Sequence, residues 1–273
     1  MPAVDLVVTD LDGTLWHTDD HVPAAVLAAW AELERRGVPI LVATGRRLAS
    51  AREPLARVGL APAAVVLNGA LGVDLASGAR FHRAPFPTAD ALIVHDAFAS
   101  VGLSPVVYVD HPRYDVFLSE RPDTHPGHVE ALGDMAGRVG PQGLRDTVAA
   151  ESVLGFSMIG VPFSAAEAAH EAVAPFAEVH LDRSIDWPGS ASLTVAPRDQ
   201  SKWDGVLAYC ADRGLDPTRV LALGDGPNDV ELLTGAAVRL VPEVAHPDAL
   251  DLATEVIPAA AEGGWAAVLD HVA

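Results

Sequence analysis

The chain has 273 residues, 50% hydrophobic and 20% charged, enough apolar material for two domain cores at about 150 residues per domain. Thirty-seven acidic residues against 18 basic ones give a net charge of -19, a field that repels nucleic acid and anionic lipid. A single cysteine, Cys210, and the lack of any apolar run near the roughly 18 residues of a membrane span exclude disulfide scaffolds and membrane-spanning proteins.

Taken in order, the first third alternates apolar strands with helices. Strands are predicted at Val4 to Thr9, Val38 to Ala43 and Ala64 to Leu67, with helices at Pro23 to Arg36 and Arg47 to Val58. That rhythm implies a parallel sheet with helices on both faces. Leu71 to His82 reads as a hairpin turning at Ser77-Gly78. The middle of the chain changes character, with a helix at Thr88 to Ser100 and strands at Pro105 to Asp110 and Tyr114 to Leu118. A Pro/Gly/His-rich stretch of unassigned form leads to a strand at Ser152 to Val161. Ser164 and Glu167 have capping-box spacing for a helix ending at Ala174, and strands at Phe176 to Leu181 and Ser192 to Ala196 complete an expected open antiparallel sheet. The first rhythm then returns. Helices are predicted at Gln200 to Arg213, Asp229 to Thr234 and Gly264 to Val272, and strands at Val220 to Leu223 and Val238 to Val241. The fold class is therefore α/β: a doubly wound parallel sheet built from both ends of the chain, with a smaller α+β domain inserted. The N-terminal Met1 to Asp5 shows no basic stretch before a small-residue cleavage site, so a reducing cytoplasm is the expected compartment.

Active sites of open parallel sheets form beyond the carboxyl ends of the strands. Those ends read Asp10-Leu11-Asp12-Gly13-Thr14, Thr44-Gly45-Arg46, Asn68-Gly69 and Gly224-Asp225-Gly226-Pro227-Asn228-Asp229. Asp10 and Asp12, two apart in extended chain, project to one side. Like charges 4 Å apart at an effective dielectric near 20 cost about 4 kcal/mol, which a hard divalent cation such as magnesium removes. An Asp-x-Asp-Gly is also an ordinary turn after a strand, but the second Asp/Gly cluster, with Asp225 and Asp229, favours the cation. Thr44 reads as a helix N-cap, as an anion-binding hydroxyl, or as both. Of the 18 basic residues 17 are arginine, and the one lysine, Lys202, opens a predicted helix. Its compact ammonium differs chemically from a guanidinium, so it is either a surface residue or a phosphate clamp.

Two other motifs fail. Gly224-Asp225-Gly226 has Asp229 where a dinucleotide fingerprint needs its third glycine. The eleven histidines include no His-Glu-x-x-His and have no thiol partner for Cys210, and His125 and His128 are expected to be exposed rather than metal-bound. Cys210 itself reads as a small buried hydrophobe.

In order and spacing, Asp10-Leu11-Asp12-Gly13-Thr14-Leu15, Thr44-Gly45-Arg46, Lys202 and Gly224-Asp225-Gly226-Pro227-Asn228-Asp229 resemble the four motifs of the haloacid dehalogenase superfamily. The Cof-type phosphatase branch, with a cap inserted between motifs two and three, is the most similar; the Asn68-Gly69 turn and Ala245-His246-Pro247 also fit it. Trp203 stands where that branch often has glycine. The resemblance implies a catalytic core at 1–82 and 189–273 and a cap at 83–188 that closes over the site and sets specificity. It implies that Asp10 attacks phosphorus and becomes an aspartyl-phosphate, that Asp12 is general acid and base, and that Thr44 and Lys202 hold the phosphoryl oxygens. Thr44, Gly45, Arg46, Asn68, Gly69, Lys202 and Asn228 would line the substrate site. Mg2+ would be held by Asp10, the backbone carbonyl of Asp12 and Asp225, supported by Asn228 and Asp229. Arg113, Tyr114 and His125 are candidate selectors in the cap, and Trp16 and His17 candidate neighbours of the leaving group. The implied activity is hydrolysis of a small phosphorylated metabolite, with a sugar phosphate as one option and no nucleic acid or membrane partner. A phosphomutase or phosphotransferase using the same intermediate, and a non-catalytic binding module, are the alternatives.

Overall fold

The computed structural model describes residues 4–17, 20–184, 187–198 and 200–272. The chain divides into two compact units, Met1–Arg83 with Ser201–Ala273, and Ala84–Gln200. The first segment runs through β1 (Leu6–Thr9), α1 (Ala24–Arg35), β2 (Ile40–Ala43), α2 (Leu48–Arg57) and β3 (Ala63–Val66), then a hairpin of β4 (Leu71–Asp74) and β5 (Arg80–Arg83). Strands β2 and β3 are continuous apolar runs and β1 is apolar up to Thr9, with every residue of the three buried, as in strands covered on both faces. Helix α1 buries Val26, Ala29, Trp30 and Leu33, one stripe at helical spacing. The hairpin turn is pinned by Asp74, whose Oδ1 accepts from the Ser77 backbone N–H and hydroxyl, both at 2.9 Å.

The second unit contains α3 (Thr88–Ser100), β6 (Val106–Val109), β7 (Val116–Ser119), α4 (Pro126–Leu132), β8 (Ala136–Val139), α5 (Pro141–Ala150), β9 (Val153–Val161), α6 (Phe163–Val173), β10 (Glu178–Arg183) and β11 (Ala191–Ala196). Its sheet has the order β10-β11-β9-β6-β7-β8. All pairs are antiparallel except β7 with β8, so the sheet is mixed where a purely antiparallel one was expected. The core is aromatic at its centre, with Phe156 packed between Phe86 and Phe98. Two sequence expectations are corrected here. The domain boundary expected at 188/189 lies at 200/201, because Ala191–Ala196 pairs with both β9 and β10; the Trp187-Pro188-Gly189 run belongs to a hairpin connection. The Ser164/Glu167 capping box is not made: α6 starts two residues earlier, after Pro162, with no side-chain cap.

On its return the chain forms α7 (Lys202–Arg213), β12 (Val220–Leu223), α8 (Val230–Gly235), β13 (Val238–Pro242), α9 (Pro247–Leu250) and β14 (Glu255–Ile257). The expected last helix is a tighter 310 run, Gly264–Asp270. At three residues per turn it puts Trp265 and Val268 on one buried face, where Trp265 stacks on Trp30 with centroids 5.6 Å apart. The completed sheet has the order β14-β13-β12-β1-β2-β3-β4-β5, parallel from β14 to β3 and antiparallel beyond. From β1 the chain first builds outward through β2 and later returns on the other side through β12. The topological switch therefore lies between β1 and β12, and the crevice beyond their carboxyl ends is where such sheets bind ligands. No described helix is long and apolar enough to cross a membrane.

Candidate active site

Strands β1 and β12 end in register, Thr9 opposite Leu223, and the Asp10 N–H continues the pairing by donating to the Leu223 carbonyl at 2.9 Å. Both acidic loops thus leave the sheet side by side. Gly13 turns the first loop with φ +78, and a Cβ there would lie 2.2 Å from Asp225 Oδ2. Thr14, fully buried, donates its hydroxyl to Asp225 Oδ1 at 2.8 Å across 211 residues of sequence. A Gly13→Ala variant should cost about 1–2 kcal/mol through its left-handed backbone alone and push Asp225 aside. The expected outcome is a lower melting temperature together with weaker divalent-cation binding by titration calorimetry.

Lys202 enters from the first turn of α7. Ser201 donates its N–H and hydroxyl to Asp204 Oδ2 at 2.9 and 2.7 Å, fixing that helix start. Gly205, one turn on, lets α7 lie against β3, since a Cβ would be 2.4 Å from Val65 Cγ1. The ammonium, 0% exposed, then donates to Asp10 Oδ1 at 2.8 Å and to Asp229 Oδ1 at 2.7 Å. The other oxygen of Asp229 accepts from the backbone N–H groups of Asp225 and Gly226 at 3.1 and 3.0 Å. Asp229 therefore knits the loop after β12 to Lys202.

Oxygens of Asp10, Asp225 and Asp229 lie within 4.8 Å of one another. Three carboxylates and one ammonium leave two negative charges in a mostly buried place, which a divalent cation would cancel. Burial, with Asp229, Asp225 and Asp12 nearby, pushes the Asp10 carboxyl well above its ordinary range despite Lys202. Burial and Asp229 push Asp225 up to about 6, against the Thr14 hydrogen bond and Lys202. Burial opposes the charge on Lys202, but Asp10 and Asp229 outweigh it and hold the ammonium above the usual lysine range. An all-oxygen donor set suits magnesium or calcium rather than a soft metal. The Asp12 side chain is not part of this cluster.

The second loop follows β2. Thr44 is buried, and its hydroxyl accepts from the Arg46 N–H at 3.1 Å. Helix α2 begins later, with Arg47 at its N-cap, so Thr44 caps the Gly45-Arg46 turn and not the helix, and its own hydroxyl proton remains to be donated. Arg46 turns to Asp12, meeting its Oδ2 through Nε at 2.7 Å and its Oδ1 through Nη2 at 2.6 Å. Asp20, which the sequence did not single out, accepts from the same Nη2 at 2.6 Å. Trp16 is fully buried and donates Nε1 to Asp12 at 3.1 Å. Asn68 sits in a 310 turn (Leu67–Gly69), where Leu67 and Asn68 both have φ 52. This left-handed pair is uncommon for non-glycine residues and is a local strain held by its surroundings. Asn68 Oδ1 accepts from Asn228 Nδ2 at 3.1 Å, and both amides lie over Gly45, where a Cβ would be 3.0 Å from Asn68 Oδ1. Gly45, Asn68, Gly69 and Asn228 are thus brought together.

Of the residues expected to select substrate in the second unit, Tyr114 stacks on His111 and carries the Arg113 guanidinium over its ring at 5.2 Å. His125 is half-buried and not exposed: it stacks on Trp187 at 4.6 Å, and its Nδ1 accepts from Gly127 N–H at 3.1 Å to cap α4. His128 meets the same indole edge-on.

A family model described as haloacid dehalogenase-like hydrolase matches residues 7–269. A phosphoglycolate phosphatase of Methanopyrus kandleri is 26% identical over 259 residues, covering 93% of this chain and 90% of that protein. The crystal structure of TM0651 from Thermotoga maritima has a similar fold, with a TM-score of 0.80 at 18% identity over 99% of this chain and 98% of that one. The HAD subclass IIB sugar phosphatase BT4131 gives 0.73 at 18% identity, over 98% of each chain. The model's reach over nearly all of the sequence accounts for both acidic loops and the lysine between them, and the chain belongs to the haloacid dehalogenase-like hydrolases, in their Cof-type branch.

Proposed function

We propose that the protein is a magnesium-dependent phosphatase that hydrolyses a phosphomonoester of a small metabolite through an aspartyl-phosphate on Asp10, with Asp12 as general acid and base. The observation that carries this reading is the buried lysine bridging two carboxylates beside a third. It is a charge arrangement of little use to folding, since burying ions is costly, and well suited to receiving a phosphate dianion. The phosphoglycolate and sugar phosphatases that the chain resembles support a small phosphorylated metabolite as substrate class. The net charge of -19 argues against nucleic acid partners, and the single cysteine supports a cytoplasmic setting.

In the first half-reaction an Asp10 oxygen attacks phosphorus, the bond from phosphorus to the ester oxygen breaks, and Asp12 gives its proton to the departing alkoxide. In the second, Asp12 takes a proton from water, whose oxygen attacks phosphorus and returns the Asp10 carboxylate with inorganic phosphate. Lys202 has one N–H left after its two ion pairs, and with the Thr44 hydroxyl and the Gly45 backbone it would hold phosphoryl oxygens. Asp10, Asp225 and the Asp12 carbonyl would hold the magnesium ion, which supplies Lewis-acid neutralisation of the phosphoryl charge worth several kcal/mol. Positioning and charge compensation are most of what such a transfer needs.

A screen of phosphate monoesters with magnesium tests this reading: release of inorganic phosphate supports it, and an isomerised phosphorylated product would instead identify a mutase. The carboxyl of Asp225 gives a second check. Its folded-state pKa, raised to about 6 from 3.8, means that the metal-free fold loses stability as pH rises through about 6 and the group ionises. Metal competes with that proton. The gain in melting temperature from millimolar magnesium should be small near pH 5 and reach a plateau above about pH 7. A gain independent of pH would mean that the cation binds elsewhere.

A further inference from the structure

Arg46 was expected to line the substrate site, yet its donors are already engaged. Nε and Nη2 grip the two oxygens of Asp12 at 2.7 and 2.6 Å, Nη2 also reaches Asp20 at 2.6 Å, and Nη1 donates to the Ser50 carbonyl at 3.1 Å. That uses four of the five guanidinium N–H groups. The Trp16 ring lies beneath the guanidinium, 5.2 Å from Cζ to centroid, while its Nε1 donates to the same Asp12 oxygen that Nη2 holds. The planar fork of an arginine fixes the plane of a carboxylate as a lysine cannot. The Asp12 carboxylate, which is not one of the Asp10, Asp225 and Asp229 cluster, is thereby held in a defined orientation.

We infer that Arg46 is a positioning residue that acts through Asp12: it sets the carboxylate that exchanges the proton, Asp20 and Trp16 hold Arg46 in place, and Arg46 is not a phosphoryl ligand. This rests on the reading of Asp12 as acid and base. The chemistry separates the two possibilities. An alkoxide must take a proton as it leaves, whereas 4-nitrophenolate departs without one. A residue that works by aiming Asp12 matters for alkyl esters alone, and a phosphoryl ligand matters for both.

The experiment compares kcat/KM, which reports steps up to loss of the leaving group, for 4-nitrophenyl phosphate and for the better of 2-phosphoglycolate and glucose 6-phosphate. Arg46→Lys keeps the charge and removes the fork. It should lower the alkyl value by about 30- to 100-fold and the aryl value by less than about threefold. In an Asp12→Asn background the same substitution should change either value by less than about twofold, because the two residues act as one unit. Asp20→Asn, at a more peripheral pair, should show the same split at about three- to tenfold, and decides the matter if melting curves show Arg46→Lys to be unfolded. Equal losses on both esters, or additivity with Asp12→Asn, would overturn the inference and make Arg46 a phosphoryl ligand. If Asp12→Asn splits the esters and neither Arg46→Lys nor Asp20→Asn does, the inference alone fails. If Asp12→Asn shows no split, the acid assignment falls and the inference with it.

Discussion

Asp10→Asn is expected to lower kcat/KM for phosphate release by at least about 10^4-fold while leaving the metal-free protein as stable as the parent or more so. The two effects have separate causes. The amide has no nucleophilic oxygen anion, so the first half-reaction stops. The same change removes one of three carboxylates crowded around a single ammonium, at a position where burial already drives the carboxyl toward its neutral form. The amide carbonyl is the same size and can still accept from Lys202. Phosphate assays and a melting curve on one preparation check both halves. Retained activity would place the nucleophile elsewhere, and a large fall in melting temperature would mean that the Asp10–Lys202 pair serves the fold.

Lys202→Met should have the opposite balance, losing both activity and stability. The ammonium is wholly buried between Asp10 and Asp229, and removing one partner of a buried ion pair costs about 3–5 kcal/mol because the other charge is left uncompensated. For a protein of this size that is a fall in melting temperature on the order of 10 °C. Magnesium should restore part of it, since a cation answers the same excess charge. Lys202→Arg should not rescue activity: the longer planar guanidinium has no room in a slot with 0% exposure and cannot place a point charge 2.8 Å from Asp10 and 2.7 Å from Asp229. A variant with arginine as active as the parent would remove the special role of the ammonium. The composition acquires a physical reason here. A chain that otherwise uses arginine has its one lysine where only a compact cation fits.

The parts of this site that could be read from the sequence are those set by local chain geometry. Apolar runs of four to six residues ending in Asp10, Thr44, Asn68 and Asp225 told where strands stop, and a parallel sheet gathers such ends on one edge. Lys202 stood out by composition. What could not be read are contacts that depend on side-chain direction after folding. Thr14 meets Asp225 across 211 residues, Asp20 reaches Arg46 from a loop without a motif, and Arg46 faces Asp12 although its position suggests a phosphate. The middle of the chain hid its helices for a local reason. Helices α4 and α5 open with Pro126 and Pro141 at their first positions, where proline is well tolerated because that N–H has no helical partner, yet the surrounding Gly127, Gly140 and Gly143 give the stretch the composition of a loop. The boundary at 188/189 failed because Trp187-Pro188-Gly189 has the character of a linker, while the strand that follows pairs with its predecessor.

The most direct measurement is a rapid chemical quench of Asp12→Asn with 4-nitrophenyl phosphate and magnesium. The aryl group needs no acid to leave, but hydrolysis of the adduct needs the missing base, so the expected result is a burst of one nitrophenolate per protein, slow turnover, and a phosphoryl group recovered on the peptide that contains Asp10. No burst, or a phosphoryl group found on any other residue, would contradict covalent catalysis by Asp10.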